Sequence, residues 1–196
     1  MENNRDLIKA VFDDDVMKRN KWFFKADWKK AEIIELETKL KVLEIKYIIW
    51  NKSIWKYGIW KNGIWKDGVW KNGTWKKGWW YNGFWKDGDW ISGVWKNGVW
   101  KNGDWQDGWW YNGTWKKGTW ENGYWKKGTW ENGYWKNGTW ENGTWENGTW
   151  KTGYWKNGTW KRGTWENGKI WNHEKNRYIE STFPPNKCKW SSSYGK

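Results

Sequence analysis

The chain contains a single cysteine, a single histidine and only two prolines among 196 residues. One cysteine argues against a disulfide framework and against a zinc site built from several cysteines. Residues 1–9 are polar and no apolar run of about 18 residues follows, which argues against a signal peptide and a membrane-spanning helix. These absences predict a protein of the cytoplasm or of a virion, with no membrane partner.

Residues that could carry catalysis are equally scarce. His173 has no local constellation of cysteine, serine or acidic residues at a known catalytic spacing. Cys188 is interpreted as an ordinary thiol, and the acidic run at 13–15 as a solvated turn or helix start. No phosphate-binding loop, dinucleotide-binding fingerprint or zinc spacing is present. The sequence therefore predicts a protein that is not an enzyme and that holds no cofactor or metal.

Tryptophan and glycine are present in large excess, at 30 and 24 residues. Disordered segments are poor in aromatic residues, so this composition argues against disorder. The formal net charge is +14, concentrated in the first half of the repeat described next. A basic balance favours polyanionic partners such as nucleic acid. It is explained equally well as a source of solubility for a tryptophan-rich chain.

One five-residue unit, x-Trp-x-x-Gly, repeats without insertion through most of the chain. Trp occupies every fifth position from Trp50 to Trp165, which gives 24 phased tryptophans, and Gly every fifth position from Gly58 to Gly168. A period of five does not form one face of a helix, and each glycine would cost a helix about 1 kcal/mol. The residues around Trp instead indicate a short strand, and the Asn-Gly or Asp-Gly that follows indicates a turn. The predicted fold class is all-β.

Two architectures fit this unit. One is a single-chain β-solenoid in which each pentad forms one side of a coil, and the other is an antiparallel β-meander of tight hairpins. The solenoid is favoured, because a three-residue strand directs its first and last residues toward the same neighbour. Such a strand cannot close two-residue hairpins at both ends.

The size of the coil stays open between three and four sides, which means a period of 15 or of 20. The segment at 79–83 recurs at 109–113, which fits a coil of 15. That coil would place Glu121 beside Lys136 and Lys126 beside Glu141, whereas a coil of ten would stack like charges. A coil of 20 leaves more room for the indoles.

The phased tryptophans are predicted to face inward and to stack as a core. Each pentad offers one core position, so a large side chain is required there. Representative positions of this core ladder are Trp60, Trp80, Trp100, Trp120, Trp140 and Trp160. The pentad phase continues upstream with Leu40 and Ile45 at Trp positions, although this region also fits a helix. The predicted organisation is an N-terminal cap region over 1–38, the solenoid over 39–168 and a C-terminal cap or tail over 169–196.

The residue before each phased tryptophan faces the opposite way and varies along the chain. Aromatic side chains at such positions stack on sugars or single-stranded bases, and neighbouring lysines favour phosphate. The candidate binding patch comprises Trp79, Tyr81, Trp109, Tyr111, Lys76 and Lys116. Packing of these residues against a cap or another subunit is the alternative.

The unbroken x-Trp-x-x-Gly run resembles the WxxGxW pentad-repeat proteins found as open reading frames in bacteriophage and bacterial genomes. The segment Lys169-Ile170-Trp171-Asn172, with Tyr178 beyond it, also resembles the ends of such arrays. The resemblance covers about residues 45–180 and implies no activity. The phage setting of the family implies a virion-associated or otherwise structural role.

Together these features predict a non-catalytic structural or interaction repeat protein. A phage particle or a phage-encoded scaffold is the expected setting, with a protein partner or self-assembly. The alternative is a glycan- or polyanion-binding module, for which nucleic acid is one ligand, that uses exposed aromatic and basic residues.

Overall fold

The computed structural model describes residues 35–41, 44–51, 53–55, 59–60 and 62–195. Within these residues the chain is all-β, without an α-helix, and its parallel strands pair at a step of about 15 residues. They build a three-sided β-solenoid of about seven turns with a stacked tryptophan core. The predicted fold class is confirmed. The antiparallel meander and the coil of 20 are wrong.

The strands are β1 (Glu35–Lys41), β2 (Glu44–Asn51), β3 (Ser53–Trp55), β4 (Ile59–Trp60), β5 (Ile64–Trp65), β6 (Gly68–Trp70), β7 (Thr74–Trp75), β8 (Trp79–Trp80), β9 (Phe84–Trp85), β10 (Asp89–Trp90), β11 (Val94–Trp95), β12 (Val99–Trp100), β13 (Asp104–Trp105), β14 (Trp109–Trp110), β15 (Thr114–Trp115), β16 (Thr119–Trp120), β17 (Tyr124–Trp125), β18 (Thr129–Trp130), β19 (Tyr134–Trp135), β20 (Thr139–Trp140), β21 (Thr144–Trp145), β22 (Thr149–Trp150), β23 (Tyr154–Trp155), β24 (Thr159–Trp160), β25 (Thr164–Trp165), β26 (Gly168–Asn172) and β27 (Arg177–Ser181). A short 3₁₀ helix follows at Pro185–Lys187.

Three sheets form the three faces of the solenoid. Face I is an 11-stranded sheet in the order β1-β2-β5-β8-β11-β14-β17-β20-β23-β26-β27. Face II contains β3-β6-β9-β12-β15-β18-β21-β24, and face III contains β4-β7-β10-β13-β16-β19-β22-β25. The chain runs from face I to face II to face III and returns to face I one coil later. Each residue therefore stacks on the residue 15 positions away, as Trp95 does on Trp110.

The corners between faces require glycine for two reasons. From Gly63 to Gly168 the corner glycines adopt φ between 114° and 158°, a region that residues with a Cβ rarely enter. The chain therefore turns where the Asn-Gly and Asp-Gly pairs predict a turn. The second reason is close approach: a Cβ on Gly128 would lie 2.4 Å from the carbonyl oxygen of Gly113 in the preceding coil. The backbones of successive corners are in direct contact.

The core consists of indoles in three columns. Each ring stacks on the ring one coil away at 4.7–5.1 Å between centroids, with the planes within 4–7° of parallel. Each ring also meets the next tryptophan in the chain edge to face, at 5.5–6.1 Å and 72–84°. Both arrangements are favoured by aromatic rings. The positions Trp60, Trp80, Trp100, Trp120, Trp140 and Trp160 are all at most 1% exposed.

One of the two ion pairs expected for a coil of 15 is present. Lys136 Nζ lies 2.5 Å from Glu121 Oε1, in the same outer column of face III. Lys126 and Glu141 also share a column, on face I. Glu141 instead accepts a hydrogen bond from the Tyr124 hydroxyl, and Lys126 Nζ lies 5.2 Å from the centroid of the Tyr111 ring. The second expected pair is therefore replaced by contacts with tyrosine.

The first described strands form a hairpin. β1 pairs antiparallel with β2, with Leu40 opposite Ile45, and the first parallel pairing of face I joins Ile49 to Ile64. Residues 39–41 and 44–48, which the sequence places in the solenoid, thus keep the pentad phase without forming sides of a coil. The reason is that no glycine precedes Gly58, so this stretch lacks the residue that turns a corner. Residues 1–34 of the predicted N-terminal cap region lie outside the described residues.

The C-terminal segment packs against the last coil. Ile170 takes the core position of a tryptophan and is fully buried, after which β27 turns back antiparallel to β26. The Trp165 indole donates a hydrogen bond of 2.9 Å to the Ser181 carbonyl, and the Ser193 hydroxyl donates one to the Gly158 carbonyl. Cys188 joins the core at 2% exposure. Residues 169–195 therefore cover the end of the indole columns.

Candidate functional site

Face I gathers the exposed aromatic residues of the solenoid. On each side the residues before and after the tryptophan point outward, because side chains alternate along a strand. Stacking at a step of 15 turns them into two outer columns per face. On face I the first column contains Ile64, Trp79, Val94, Trp109, Tyr124, Thr139 and Tyr154, and the second contains Lys66, Tyr81, Lys96, Tyr111, Lys126, Glu141 and Lys156.

The aromatic patch is defined as Trp79, Tyr81, Lys96, Trp109, Tyr111 and Tyr124. Trp79 and Trp109 are 45% and 52% exposed although both are large apolar side chains. Each lies 6.4 Å, between ring centroids, from the tyrosine two residues later in the chain. Trp109 also contacts Tyr124 of the next coil at 4.8 Å. The rings form two clusters in the middle of face I, Trp79 with Tyr81 and Trp109 with Tyr111 and Tyr124.

Lys96 joins the two halves of the aromatic patch. Its Nζ lies 3.7 Å from the centroid of the Tyr111 ring and 5.0 Å from that of the Trp79 ring. A cation held over aromatic rings is attracted by their negative faces. The patch therefore combines exposed ring faces with an ammonium group. It can stack on a planar or pyranose ring and attract an anion.

The structure places the four predicted aromatic site residues together and the two predicted lysines elsewhere. Trp79, Tyr81, Trp109 and Tyr111 share face I. Lys76 follows β7 on face III and Lys116 follows β15 on face II, so their assignment to the patch is wrong. The lysine that does contact the patch is Lys96, which lies one coil from both Tyr81 and Tyr111. Its sequence separation of 15 residues from both Tyr81 and Tyr111 identifies Lys96, once the coil is known to have 15 residues.

The Tyr124 hydroxyl of the aromatic patch donates a hydrogen bond to the neighbouring Glu141 carboxylate. Burial, together with the hydrogen bond that the Tyr124 hydroxyl donates to the Glu141 carboxylate, raises the pKa of Tyr124 well above its ordinary value of 10.0. Burial also raises the pKa of Tyr178, near the end of the same face, and the Glu141 charge acts in the same direction. Deprotonation of both tyrosines is therefore disfavoured in the folded protein.

The contact between Tyr124 and Glu141 predicts that the difference in stability between the wild type and a Tyr124→Phe variant depends on pH. A folded-state pKa above the unfolded value stabilises the protein below about pH 10, and this contribution is lost as the pH rises further. The free energy of unfolding of the Tyr124→Phe variant should therefore be about 1 kcal/mol lower than that of the wild type at pH 8. This difference between the two proteins should become smaller above pH 10. Urea denaturation across this range measures the gap. Tyr81→Phe, at a position 46% exposed, is the matched control, and a gap that widens with pH would contradict the assignment.

A groove of about 510 Å³ runs beside the aromatic patch along the corner between faces III and I. One wall is formed by Trp109, Tyr124 and Tyr154, and the other by polar corner residues. Three of these form an amide ladder, in which Asn122 Nδ2 donates to Asp107 at 3.4 Å and Asn137 Nδ2 to Asn122 at 3.2 Å. Each amide uses one of its two N–H donors in this ladder. Aromatic rings opposite amides can hold a sugar.

The residues considered for catalysis are not brought together. His173 is exposed beyond β26, and the Cys188 thiol is buried 3.3 Å from the Ser181 hydroxyl. Burial raises the pKa of the Cys188 thiol, and its hydrogen bond with Ser181 opposes that shift. The acidic run at 13–15 lies outside the described residues. Within residues 62–195 and the described strands before them, no three His, Cys, Asp or Glu side chains are grouped to hold a metal ion.

Comparison with known proteins gives no relative: no family model, no curated protein and no solved structure matches this chain. Among the residues that the structure describes, none belongs to a helix with the length and hydrophobicity of a membrane span.

Proposed function

We propose that the protein is a non-catalytic structural and interaction module, which meets a protein partner or a second copy of itself through the aromatic patch. The observation that carries this proposal is the unbroken core. Every core position from Trp60 to Trp165 holds a tryptophan that is at most 8% exposed. Each coil thus contributes tryptophans to the core, and the side chains of the outer columns are spaced one coil apart.

The aromatic patch is the part of this surface best suited to a partner. Protein interfaces are enriched in tryptophan and tyrosine, and most of their binding energy comes from a few such residues. Trp79 and Trp109 are half exposed and lie two coils apart on one face. Their burial by a partner would remove apolar surface from water. The proposed setting is a phage virion or a phage-encoded scaffold, as the resemblance of the pentad run implies.

A glycan-binding module is the second candidate. It is favoured by the groove in which Trp109 and Tyr124 face the amide ladder of Asn122 and Asn137. Sugars present apolar faces that stack on aromatic rings and hydroxyls that bond to amides. In this case the ligand would occupy the groove lengthwise, and a protein partner would not be needed.

Acrylamide quenching of tryptophan emission separates these functions. The core indoles should be shielded, and a quenchable fraction should come from Trp79 and Trp109, because both are half exposed. A Trp79→Phe/Trp109→Phe variant should have a smaller quenchable fraction than the wild type. If copies of the chain meet through the patch, raising the protein concentration should protect the fraction in the wild type.

The same quenching measurement, repeated with glycan pools at a fixed protein concentration, tests the second candidate. Under the proposed function the pools leave the quenchable fraction unchanged. Protection by a glycan would overturn the scaffold function in favour of the second candidate. An unchanged quenchable fraction in the double variant would show that the patch is already covered.

A further inference from the structure

Four lysines form a row on face II. The lysine row comprises Lys71, Lys86, Lys101 and Lys116, each of which directly follows a core tryptophan. The strands that precede them pair in parallel, each with the strand one coil away. The tryptophans beneath the row are stacked at 4.7–4.8 Å between ring centroids. Consecutive lysines are therefore spaced by one coil, in a line along the solenoid.

The charges of this row are mostly uncompensated. Like charges directly opposite on neighbouring strands are destabilising. Lys116 lies 3.6 Å from Glu131, but among the described residues no carboxylate lies within 4.0 Å of Lys71, Lys86 or Lys101. Further along the same column Lys161 lies 3.0 Å from Glu146. Toward its C-terminal end this column of face II pairs lysines with glutamates. Toward its N-terminal end it holds lysines without a neighbouring carboxylate in the described part of the chain.

The other faces avoid such a row. In the corresponding column of face I, tyrosines separate Lys66, Lys96 and Lys126. In that of face III, Lys76 is followed by Ile91 and then by Gln106 and Glu121. Within the described coils, only face II places more than two lysines in succession. The accumulation is a local property of this face and does not follow from the repeat itself.

A groove of about 890 Å³ runs beside the lysine row, along the corner between faces I and II. Its apolar side is formed by Val69, Phe84 and Val99, each two residues before a lysine of the row and thus about 7 Å from it along the strand. Its polar side is a ladder of corner residues. Asn82 donates to Asp67 at 3.3 Å, and Asn97 and Asn112 each donate to the preceding amide at 3.2 Å.

We propose that face II binds single-stranded nucleic acid lengthwise, with phosphates on the lysine row and bases across the groove. Proteins that bind single strands combine a positive track for the backbone with apolar or aromatic surface for the bases. Here Phe84 provides a ring for stacking. The amides of Asn82 and Asn97 each have an N–H donor that the ladder does not use. The row covers three coil steps of about 4.8 Å each, which is about 14 Å, so the site is short.

This inference goes beyond the proposed function and concerns a different face. The aromatic patch lies on face I, whereas the lysine row and its groove involve face II and the corner it shares with face I. A protein partner on face I and a nucleic acid strand on face II could each be found without the other.

The test is the anisotropy of a fluorescent dT12 oligonucleotide titrated with the full chain at several salt concentrations. The variant is Lys71→Gln/Lys86→Gln/Lys101→Gln. The control variant is Lys76→Gln/Lys151→Gln/Lys156→Gln, which removes the same net charge from faces I and III. For single strands the logarithm of affinity falls with that of salt by about 0.7 per phosphate contacted. The row variant should bind at least about tenfold more weakly at low salt, with a slope smaller by about 2. The control should change affinity less than about threefold.

Folding and base recognition are checked in the same experiment. Removal of like charges should leave the thermal midpoint of the row variant unchanged or raised. An abasic oligonucleotide of equal charge should bind at least about fivefold more weakly than dT12, because base stacking is lost. Equal losses in the row and control variants would overturn the site on face II. Equal binding of dT12, the abasic chain and a linear acidic polysaccharide would overturn the assignment to nucleic acid.

Discussion

Replacing Gly113 with alanine should lower the free energy of unfolding by at least about 3 kcal/mol. Gly113 has a φ of 122°, and its added Cβ would lie 2.3 Å from the carbonyl oxygen of Gly98. That oxygen accepts the backbone hydrogen bond of Thr114 at 3.0 Å. The two coils must separate to admit the methyl group, which breaks the ladder between them. Guanidinium denaturation followed by circular dichroism measures the loss.

The matched control is Gly195→Ala. Gly195 also has a positive φ, 71°, but no heavy atom lies within 4 Å of the added Cβ. The substitution should cost only about 1 kcal/mol, from backbone strain. Repeat arrays do not always unfold as one unit, so hydrogen exchange should show lost protection in the coils on either side of Gly113. Equal stability of the two variants would rule out the steric explanation.

Replacing Trp110 with alanine should cost about 3–5 kcal/mol. Its ring stacks at 4.8 Å between Trp95 and Trp125, and it meets Trp105 and Trp115 edge to face at 6.0 Å. Alanine removes four ring contacts and leaves a cavity in the middle of the core. Neighbouring rings cannot move into this space without leaving their own columns. Chemical denaturation gives the magnitude, and near-ultraviolet circular dichroism should show the loss of ordered aromatic packing.

The adjacent residue provides the control for this substitution. Trp109 carries the same side chain and lies on the same strand, but it is 52% exposed on face I. Trp109→Ala should therefore cost less than about 1 kcal/mol, as expected for a surface position. If Trp109→Ala and Trp110→Ala were equally destabilising, the inward and outward assignment of the pentad positions would be wrong.

The pentad itself was predictable because local chemistry determines it. A single large residue per side has to face the core, and glycine has to occupy the corner. The number of sides was not predictable in this way, since a five-residue side fits three or four to a coil. That number depends on how the indoles meet across the core, and here three per coil pack edge to face, as Trp95 does on Trp100 at 73°. The sequence features that point to 15 are the recurrence of the segment 79–83 at 109–113 and the opposite charges of Glu121 and Lys136, which are 15 residues apart.

The candidate site was predictable only in part for the same reason. Trp79 and Trp109 are conspicuous in sequence, and their separation by two coils places them on one face. Closeness in sequence predicts that Lys76 belongs to the same patch as Trp79. On this surface, however, neighbouring residues are those 15 positions apart. Lys96 satisfies that step and was missed. The hairpin at the start was missed because Leu40 and Ile45 keep the phase although no glycine is present to turn the chain.

The stacking of each residue on the one 15 positions away limits how the chain can change length. Deletion of one pentad between Trp79 and Trp109 would leave every tryptophan and glycine in phase, and the core would close again. Every side chain downstream would nevertheless move to another face, and Trp109 would join the column of Asp104 on face III. Deletion or duplication of one whole coil would return each side chain to its own face. The sequence repeats at every pentad, but the protein can gain or lose length without rearranging its surface only by three pentads at a time.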